Sequence, residues 1–406
     1  MMNDTDKTFF DWVADHAADD PAALRLKYGR KTEPIDYPAA ITQIECRRKF
    51  GKKLAETLAA YPQFYFPSVL AGEQSTSDAL ARFHASYVAE GLPMVDLTAG
   101  LGIDALHAAS RASKVTAVER DSDKTDALRR NAQGLDVHNL EAVNGDCIEF
   151  IDRALAAGEH YTTVFIDPAR RAGDGSRVFA LADCEPDVTA LMPRLAHLCD
   201  LLIIKASPML DISHTIEALS PAPVSVMAVG TPTECKELLV IVDFKAEPRE
   251  TLVEAVTVSG DAATTFAFTR EQEKDSPDAP ALDAPAEGDY ICEPSPALMK
   301  SGAFKLLAVR YGLKRFDRNT RVLASDKPVE GFPGQLYKIV KVLPYASRVL
   351  KRFAREYPAV NVAVRNFGMS ADALRSKLGV RDGGTLRLYG ITDARGEKLL
   401  LLTEPA

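Results

Sequence analysis

The stretch Val95-Asp96-Leu97-Thr98-Ala99-Gly100-Leu101-Gly102 places a carboxylate and two glycines between an apolar run and a helical pattern. Gly100 and Gly102 remove side chains where backbone must approach a ligand closely. The helix start beyond them offers N–H groups with no intrahelical partner. Glu119 ends the next apolar run, seventeen residues after Gly102, where an acid can hold a ribose diol. Asp146 follows the third run, beside Cys147, where a carboxylate could accept from an adenine amino group. Glycines alone could make a plain strand-to-helix turn; the trio of glycine loop and two acids points to a nucleoside. A dinucleotide would call for a third glycine where Ala105 stands. Asp96 suits a ligand with a cationic end better than a pyrophosphate, and S-adenosylmethionine (SAM) carries an ammonium and a sulfonium.

A second set lies in residues 162–179, TTVFIDPARRAGDGSRVF. Asp167-Pro168 closes the fourth apolar run, at the carboxyl edge where open α/β sheets bind ligands. Methyl transfer from a sulfonium needs in-line placement and a nucleophile with a free lone pair more than acid–base help. Asp167 could orient and desolvate an amine. Arg170, Arg171 and Arg177 suit phosphate by bidentate bonding or can stack on a base. The alternative is that they pair on the surface with Asp174, Asp183 or Glu185. Lys205, ending the next run, faces the substrate or is a strand-end surface charge. A cysteine-nucleophile route finds no cysteine in the matching loop, which reads Ser207-Pro208.

These residues need a scaffold that brings strand ends together. Between residues 91 and 245, short apolar runs alternate with helical patterns, which predicts a parallel sheet covered on both faces. VSVMAVG and ELLVIVDF lack an intervening helix and read as an antiparallel pair at one sheet edge. Residues 1–90 read as helices, including one over 41–60 and one over 77–92 capped by Ser75, Thr76 or Ser77. TLVEAVTVSG and TTFAFTR add two strands. The Pro-, Ala- and acid-rich stretch 271–289 has linker composition. Residues 290–406 read as a smaller α/β unit: a helix from Pro294, strands over LYKIVKVLPY and AVNVAVRNF, a basic helix SRVLKRFAREY, a helix capped by Ser370 and stopped by Gly379, and two closing strands. The expected domains are thus 1–90, 91–270 and 290–406, with the linker at 271–289.

The net charge of -8 hides an asymmetry. Residues 291–382 hold 18 Lys and Arg against 7 Asp and Glu, a balance of +11, which leaves -19 elsewhere. A basic C-terminal part hints at a polyanion, or is a solvated basic face. Phe316, Phe353 and Tyr357 interleave with these cations, as base-stacking aromatics or as core. Six scattered cysteines without a CxxC argue against a metal cage or disulfide framework and fit a reducing cytoplasm. No apolar run is long enough to span a membrane, and the acidic start lacks a signal-peptide pattern.

In order and spacing, Asp96, Thr98, Gly100, Gly102, Glu119, Asp146 and Asp167-Pro168 resemble the motifs of class I SAM-dependent methyltransferases. That resemblance implies a Rossmann-like seven-stranded sheet. It implies a glycine loop and preceding acid on the methionine part, Glu119 on the ribose and Asp146 with Cys147 on adenine. It assigns Asp167 and Pro168 to catalysis; Arg170, Arg171, Arg177 and Lys205 are the substrate-contact candidates by their own chemistry. Amino-group methyltransferases follow the acid with two prolines and an aromatic; here Ala169 and Arg170 stand in the last two places. Residues 72–85 resemble the helix that covers the cofactor in RNA and DNA methyltransferases. The C-terminal part resembles THUMP-like and ferredoxin-like modules of RNA methyltransferases. The resemblance thus implies methylation of a base nitrogen in structured RNA, tRNA or rRNA, without metal. A small-molecule or protein substrate, or a SAM- and RNA-binding protein without catalysis, are the other readings.

Overall fold

Apolar runs too short for helices form β1 (Pro93–Asp96), β2 (Lys114–Glu119), β3 (Leu140–Asn144) and β4 (Tyr161–Ile166). Two short strands, β5 (Ala169–Arg170) and β6 (Cys184–Glu185), pair antiparallel with each other. β7 (Cys199–Ala206), β8 (Pro223–Gly230) and β9 (Cys235–Asp243) follow. The computed structural model describes residues 4–170, 180–219, 223–247 and 249–406. The chain divides into two units, Met1–Val224 with Leu238–Arg249, and Ser225–Glu237 with Glu250–Ala406.

In the first unit the strand order is β3-β2-β1-β4-β7-β9. Neighbours are parallel except β9, antiparallel to β7 from Leu201↔Asp243 to Ala206↔Leu238. Val95, Val115, Val164, Leu202 and Ile204 are fully buried in this sheet, each contributing roughly 1.5–3 kcal/mol. Asp121, Asp146, Asp187 and Asp211 cap the helices Ser122–Gly134, Cys147–Ala156, Val188–Leu198 and Ile212–Ala218. The helix after β1, Ile103–Ala108, starts instead at Gly102 with no side-chain cap.

The N-terminal part is helical, as expected. Phe10, Val13, Leu24, Ile41 and Ile44 form its core. Buried Gln43 clamps Phe66: its Nε2 donates to the Phe66 carbonyl at 2.8 Å, and Oε1 accepts from the Phe66 N–H at 2.9 Å. The helix expected over 41–60 is two, Tyr37–Phe50 and Ala55–Ala60. Gly51 ends the first, which a poor helix former does readily. Ser77, one of the three candidate caps, accepts from Leu80 N–H at 3.4 Å and starts the helix Asp78–Ala85.

The second unit carries β8, β10 (Leu252–Ser259) and β11 (Ala262–Thr269). β8 is parallel to β10 over Ser225–Gly230, and β10 is antiparallel to β11. The strands read from TLVEAVTVSG and TTFAFTR thus pair with each other, and the first of them pairs with β8. Val253, Ala255, Val256 and Val258 of β10 are buried.

Seven further strands close this unit: β12 (Tyr290–Pro294), β13 (Lys314–Arg315), β14 (Leu323–Ser325), β15 (Gly334–Pro344), β16 (Asn361–Arg365), β17 (Arg387–Thr392) and β18 (Lys398–Pro405). Their order is β13-β14-β12-β15-β18-β17-β16. The helix expected after Pro294 is split into Pro296–Ser301 and Phe304–Tyr311 by Gly302, whose φ of 84° leaves the helical region. Ser370 and Gly379 do bound the helix Ala371–Leu378. Within the linker-like stretch, Glu273 accepts from the N–H groups of Lys305 and Leu306 at 3.0 and 2.9 Å. It thereby satisfies orphan donors at a helix start. Phe316 and Phe353 are 1% and 2% exposed, core residues of this unit and not stacking surfaces.

Candidate active site

The loop after β1 builds the site. Gly100 and Gly102 have φ of 57° and 84°, which favour glycine. A side chain at Gly102 would also sit 2.2 Å from Leu128 Cδ1, whereas Gly100 faces open space. Glu119, at the end of β2, is buried and braces this loop. Its Oε2 accepts from Gly100 N–H at 2.8 Å and its Oε1 from Asp121 N–H at 2.9 Å. Each carboxylate oxygen has a second lone pair, so Glu119 can still accept from a diol.

Asp96 ends β1 and is 1% exposed. Its Oδ1 accepts from Thr98 N–H at 3.0 Å. Burial drives its carboxyl well above the usual range, and the charges of Asp104 and Asp167 push the same way. The Thr98 bond and Lys205 only partly oppose them. A cation placed here would relieve that penalty. The donor set thus fits a ligand with an ammonium end.

Thr98 joins the two motifs, for its Oγ1 accepts from Asp167 N–H at 2.7 Å. Parallel pairing of Asp96 with Phe165 puts the ends of β1 and β4 side by side. Pro168 is buried, and Asp167 keeps a side chain 37% exposed. Lys205, at the end of β7, ion-pairs with Asp167 through Oδ2. It is therefore a partner of the catalytic candidate, not a strand-end surface charge. A small cavity of about 50 Å³ is bordered by Thr98, Gly100, Gly102, Asp167 and Lys205, with Gln74–Thr76 on another side.

Asp146 caps its helix through Oδ1, accepting from Ile148 N–H at 2.8 Å. The side chain is exposed, beside the 38%-exposed Ile148. Burial pushes the Cys147 thiol up to about 11, which leaves it a neutral packing group. Of the arginine cluster, Arg170 lies in β5, and Arg171 and Arg177, with Asp174, lie outside the described residues. Of the alternative surface partners, Glu185 and Asp183 are described, and each has another contact. Glu185 pairs with Arg120 at 3.0 Å, and Asp183 accepts from Ala180 N–H at 3.2 Å.

Sequence reasoning missed a polar group behind the glycine loop. His84 Nδ1 lies 2.8 Å from Asp104 Oδ1, and Thr76 donates to the other oxygen of Asp104. A mirror pair joins the same helices, His107 Nε2 to Asp78 Oδ1 at 3.2 Å. The available signal was an Asp and a His on each helix. Burial raises the Asp104 carboxyl, but the charge and hydrogen bond of His84, the charge of Lys205 and the Thr76 hydroxyl outweigh it and hold it at about 2. That is below an unfolded value of about 3.9, so the stabilisation is present above that value and lost as pH falls toward about 2. Asp104→Asn is expected to cost ~2 kcal/mol of unfolding free energy near neutral pH and little at about pH 2. Urea midpoints at the two pH values read this; equal losses at both would remove the ion-pair account.

Among the described residues no group of three or more His, Cys, Asp or Glu could hold a metal ion, and no helix is long and apolar enough to cross a membrane. Three families match parts of the chain. They are the conserved hypothetical protein 95 family over residues 79–181, a ferredoxin-like domain over 290–333 and a THUMP domain-like family over 334–405. A crystal structure of a Porphyromonas gingivalis W83 protein, described as a methyltransferase by inference, is 31% identical over 100% of both chains, with a TM-score of 0.86. Uncharacterised SAM-dependent methyltransferases from two strains of Mycobacterium tuberculosis are 26% identical over 88% of this chain and 92% of their own length. With the glycine loop, Asp96 and Glu119 arranged as above, the chain belongs to the class I SAM-dependent methyltransferases, and it carries ferredoxin-like and THUMP-like modules in its C-terminal part.

Proposed function

We propose that this methyltransferase modifies a base nitrogen in structured RNA, tRNA or rRNA, with the target base flipped toward Asp167. The observation that carries the RNA reading is the helix Ser347–Glu356 of the THUMP-like module. Arg348, Lys351, Arg352 and Arg355 are exposed on it at i, i+3, i+4 and i+7, and none makes an ion pair among the described residues. Its opposite face buries Phe353. Four unpaired cations on one stripe, held on a rigid helix, suit a row of phosphates.

In the site, Asp96 and the loop through Gly100 and Gly102 would hold the methionine end of SAM, Glu119 the ribose and Asp146, with Cys147 and Ile148, the adenine. Ligand pockets of this class need roughly 300 Å³ or more. The small cavity, bordered by Gly100 and Gly102 but not by Asp96, would take only part of the ligand. When bound, SAM supplies an electrophilic methyl group. Asp167 would accept a hydrogen bond from the target amine and hold its lone pair in line, with Pro168 fixing the strand end. Lys205 would orient Asp167 through their ion pair, and Arg170, Arg171 and Arg177 would contact substrate phosphate or base.

The test is mass spectrometry of nucleosides from total RNA of cells lacking the protein, after incubation with purified enzyme and isotope-labelled SAM. A labelled methyl-nucleoside is the expected product. Label in none, with SAM bound, would shift the assignment to a small-molecule or protein substrate. The basic helix has its own readout. Arg348→Gln with Arg352→Gln should weaken RNA binding about tenfold, equally across sequences, and reduce the log–log salt slope by about 2. An unchanged slope in filter binding would detach this helix from RNA.

A further inference from the structure

A second cavity lies wholly within the second unit and encloses about 740 Å³. That is the size of a small-molecule site, roughly 300–1,000 Å³. One wall is electrostatic. Glu293, with a side chain 13% exposed, receives Arg365 on Oε1. Its Oε2 accepts from Arg387 Nη1 at 2.8 Å and the Tyr389 hydroxyl at 2.7 Å. Two guanidinium groups against one carboxylate leave one net positive charge.

The glutamate also orients the two forks. Each guanidinium has five N–H donors, ten in all. Among the described residues four hydrogen bonds engage them, Arg365 to Val364 O and Glu293, and Arg387 to Glu293 and the Tyr389 oxygen. Both side chains are about a third exposed, at 33% and 32%. Arg387 is further fixed over the Tyr337 ring at 4.7 Å. Pre-positioned forks with spare donors are what bidentate recognition of a phosphate requires.

The other walls differ in kind. Thr257 and Thr264 face each other across β10 and β11 and supply hydroxyls. Phe332 and flanking Pro294 and Pro333 supply an apolar surface. Phe332 is held edge-on by Tyr311 at 5.7 Å. A side chain at Gly334 would meet the Glu293 carbonyl at 2.1 Å and Phe332 at 2.7 Å, so glycine is what lets β12 and β15 close this corner.

We propose that this cavity binds a nucleoside monophosphate unit. The phosphate would bridge Arg365 and Arg387, the sugar would meet the threonine hydroxyls, and the base would lie against Phe332 and the prolines. The same chemistry is offered by a free nucleotide and by one nucleotide of an RNA strand. The site is independent of the methyl-acceptor assignment above.

The experiment is calorimetric titration of the full-length protein with UMP, AMP, uridine and a tetrauridylate. A monophosphate or the oligonucleotide should bind at least tenfold more tightly than uridine. Arg365→Gln should weaken that binding about tenfold. Thr264→Trp, at an exposed strand position, should obstruct the threonine wall of the cavity and weaken binding without lowering Tm. Equal binding of UMP and tetrauridylate assigns the site to free nucleotide; tetrauridylate alone assigns it to RNA. Failure of every probe to bind, or binding indifferent to Arg365→Gln and Thr264→Trp, overturns the proposal. Nucleotide binding here would stand even if no RNA nucleoside were methylated.

Discussion

Asp167→Ala is expected to lower kcat for methyl transfer by roughly 100-fold or more, with the SAM dissociation constant within about threefold. Asp167 sits at the end of β4, its N–H anchored on Thr98 and its carboxylate on Lys205. A group that orients the acceptor acts after the cofactor is seated, so its loss falls on the transfer step. Asp167→Asn keeps an acceptor oxygen but breaks the ion pair. It should retain more activity than alanine and isolate the part played by charge. Lys205→Met should lower activity by removing the ion pair with Asp167. Single-turnover assays with saturating SAM make the comparison. Full activity in Asp167→Ala would move the acceptor site elsewhere, and a parallel loss of SAM binding would make the residue structural.

Asp96→Asn should weaken SAM binding by about 100-fold and, at the same time, stabilise the ligand-free protein above about pH 5. The two signs come from one cause. The buried Asp96 carboxyl titrates well above its usual range because burial, Asp104 and Asp167 all oppose its charge. A raised carboxyl destabilises the fold progressively as pH climbs through and above the ordinary carboxylate range. A ligand cation reverses this, so SAM should bind with proton release and more tightly as pH rises. Titration calorimetry in two buffers of different ionisation enthalpy counts the proton, and thermal melts of the apo variant read the stability. Weakened SAM binding with no gain in apo stability would falsify the account of Asp96 as an unpaired buried acid.

The glycine loop, Asp96, Glu119, Asp146 and Asp167-Pro168 were legible because each lies next to a strand end, and strand ends follow from local hydrophobic pattern. The parallel order of β1, β2 and β4 then follows from short strand-helix alternation. The aromatic residues of the basic segments were ambiguous for a local reason. A helix with cations on one face and Phe353 on the other reads the same whether the ring is stacked on a base or packed in a core, and burial against Leu374 and Leu388 decided it. Helix breaks at Gly51 and Gly302 were hidden inside apolar patterns that continue across them.

What the sequence determined by itself was therefore the cofactor class and the place of these residues at strand ends, since a turn, its two glycines and the acids after successive strands are short-range features. Tertiary structure alone decided the partnerships. Lys205 meets Asp167 across 38 residues, and His84 meets Asp104 across 20. Glu293 gathers Arg365 and Arg387 from 72 and 94 residues away. Such pairs depend on which strands and helices become neighbours, and a carboxylate and a cation carry no record in sequence of whom they will face. Their energies nevertheless control the site, because within a partly buried region an unpaired charge costs far more than it does in water.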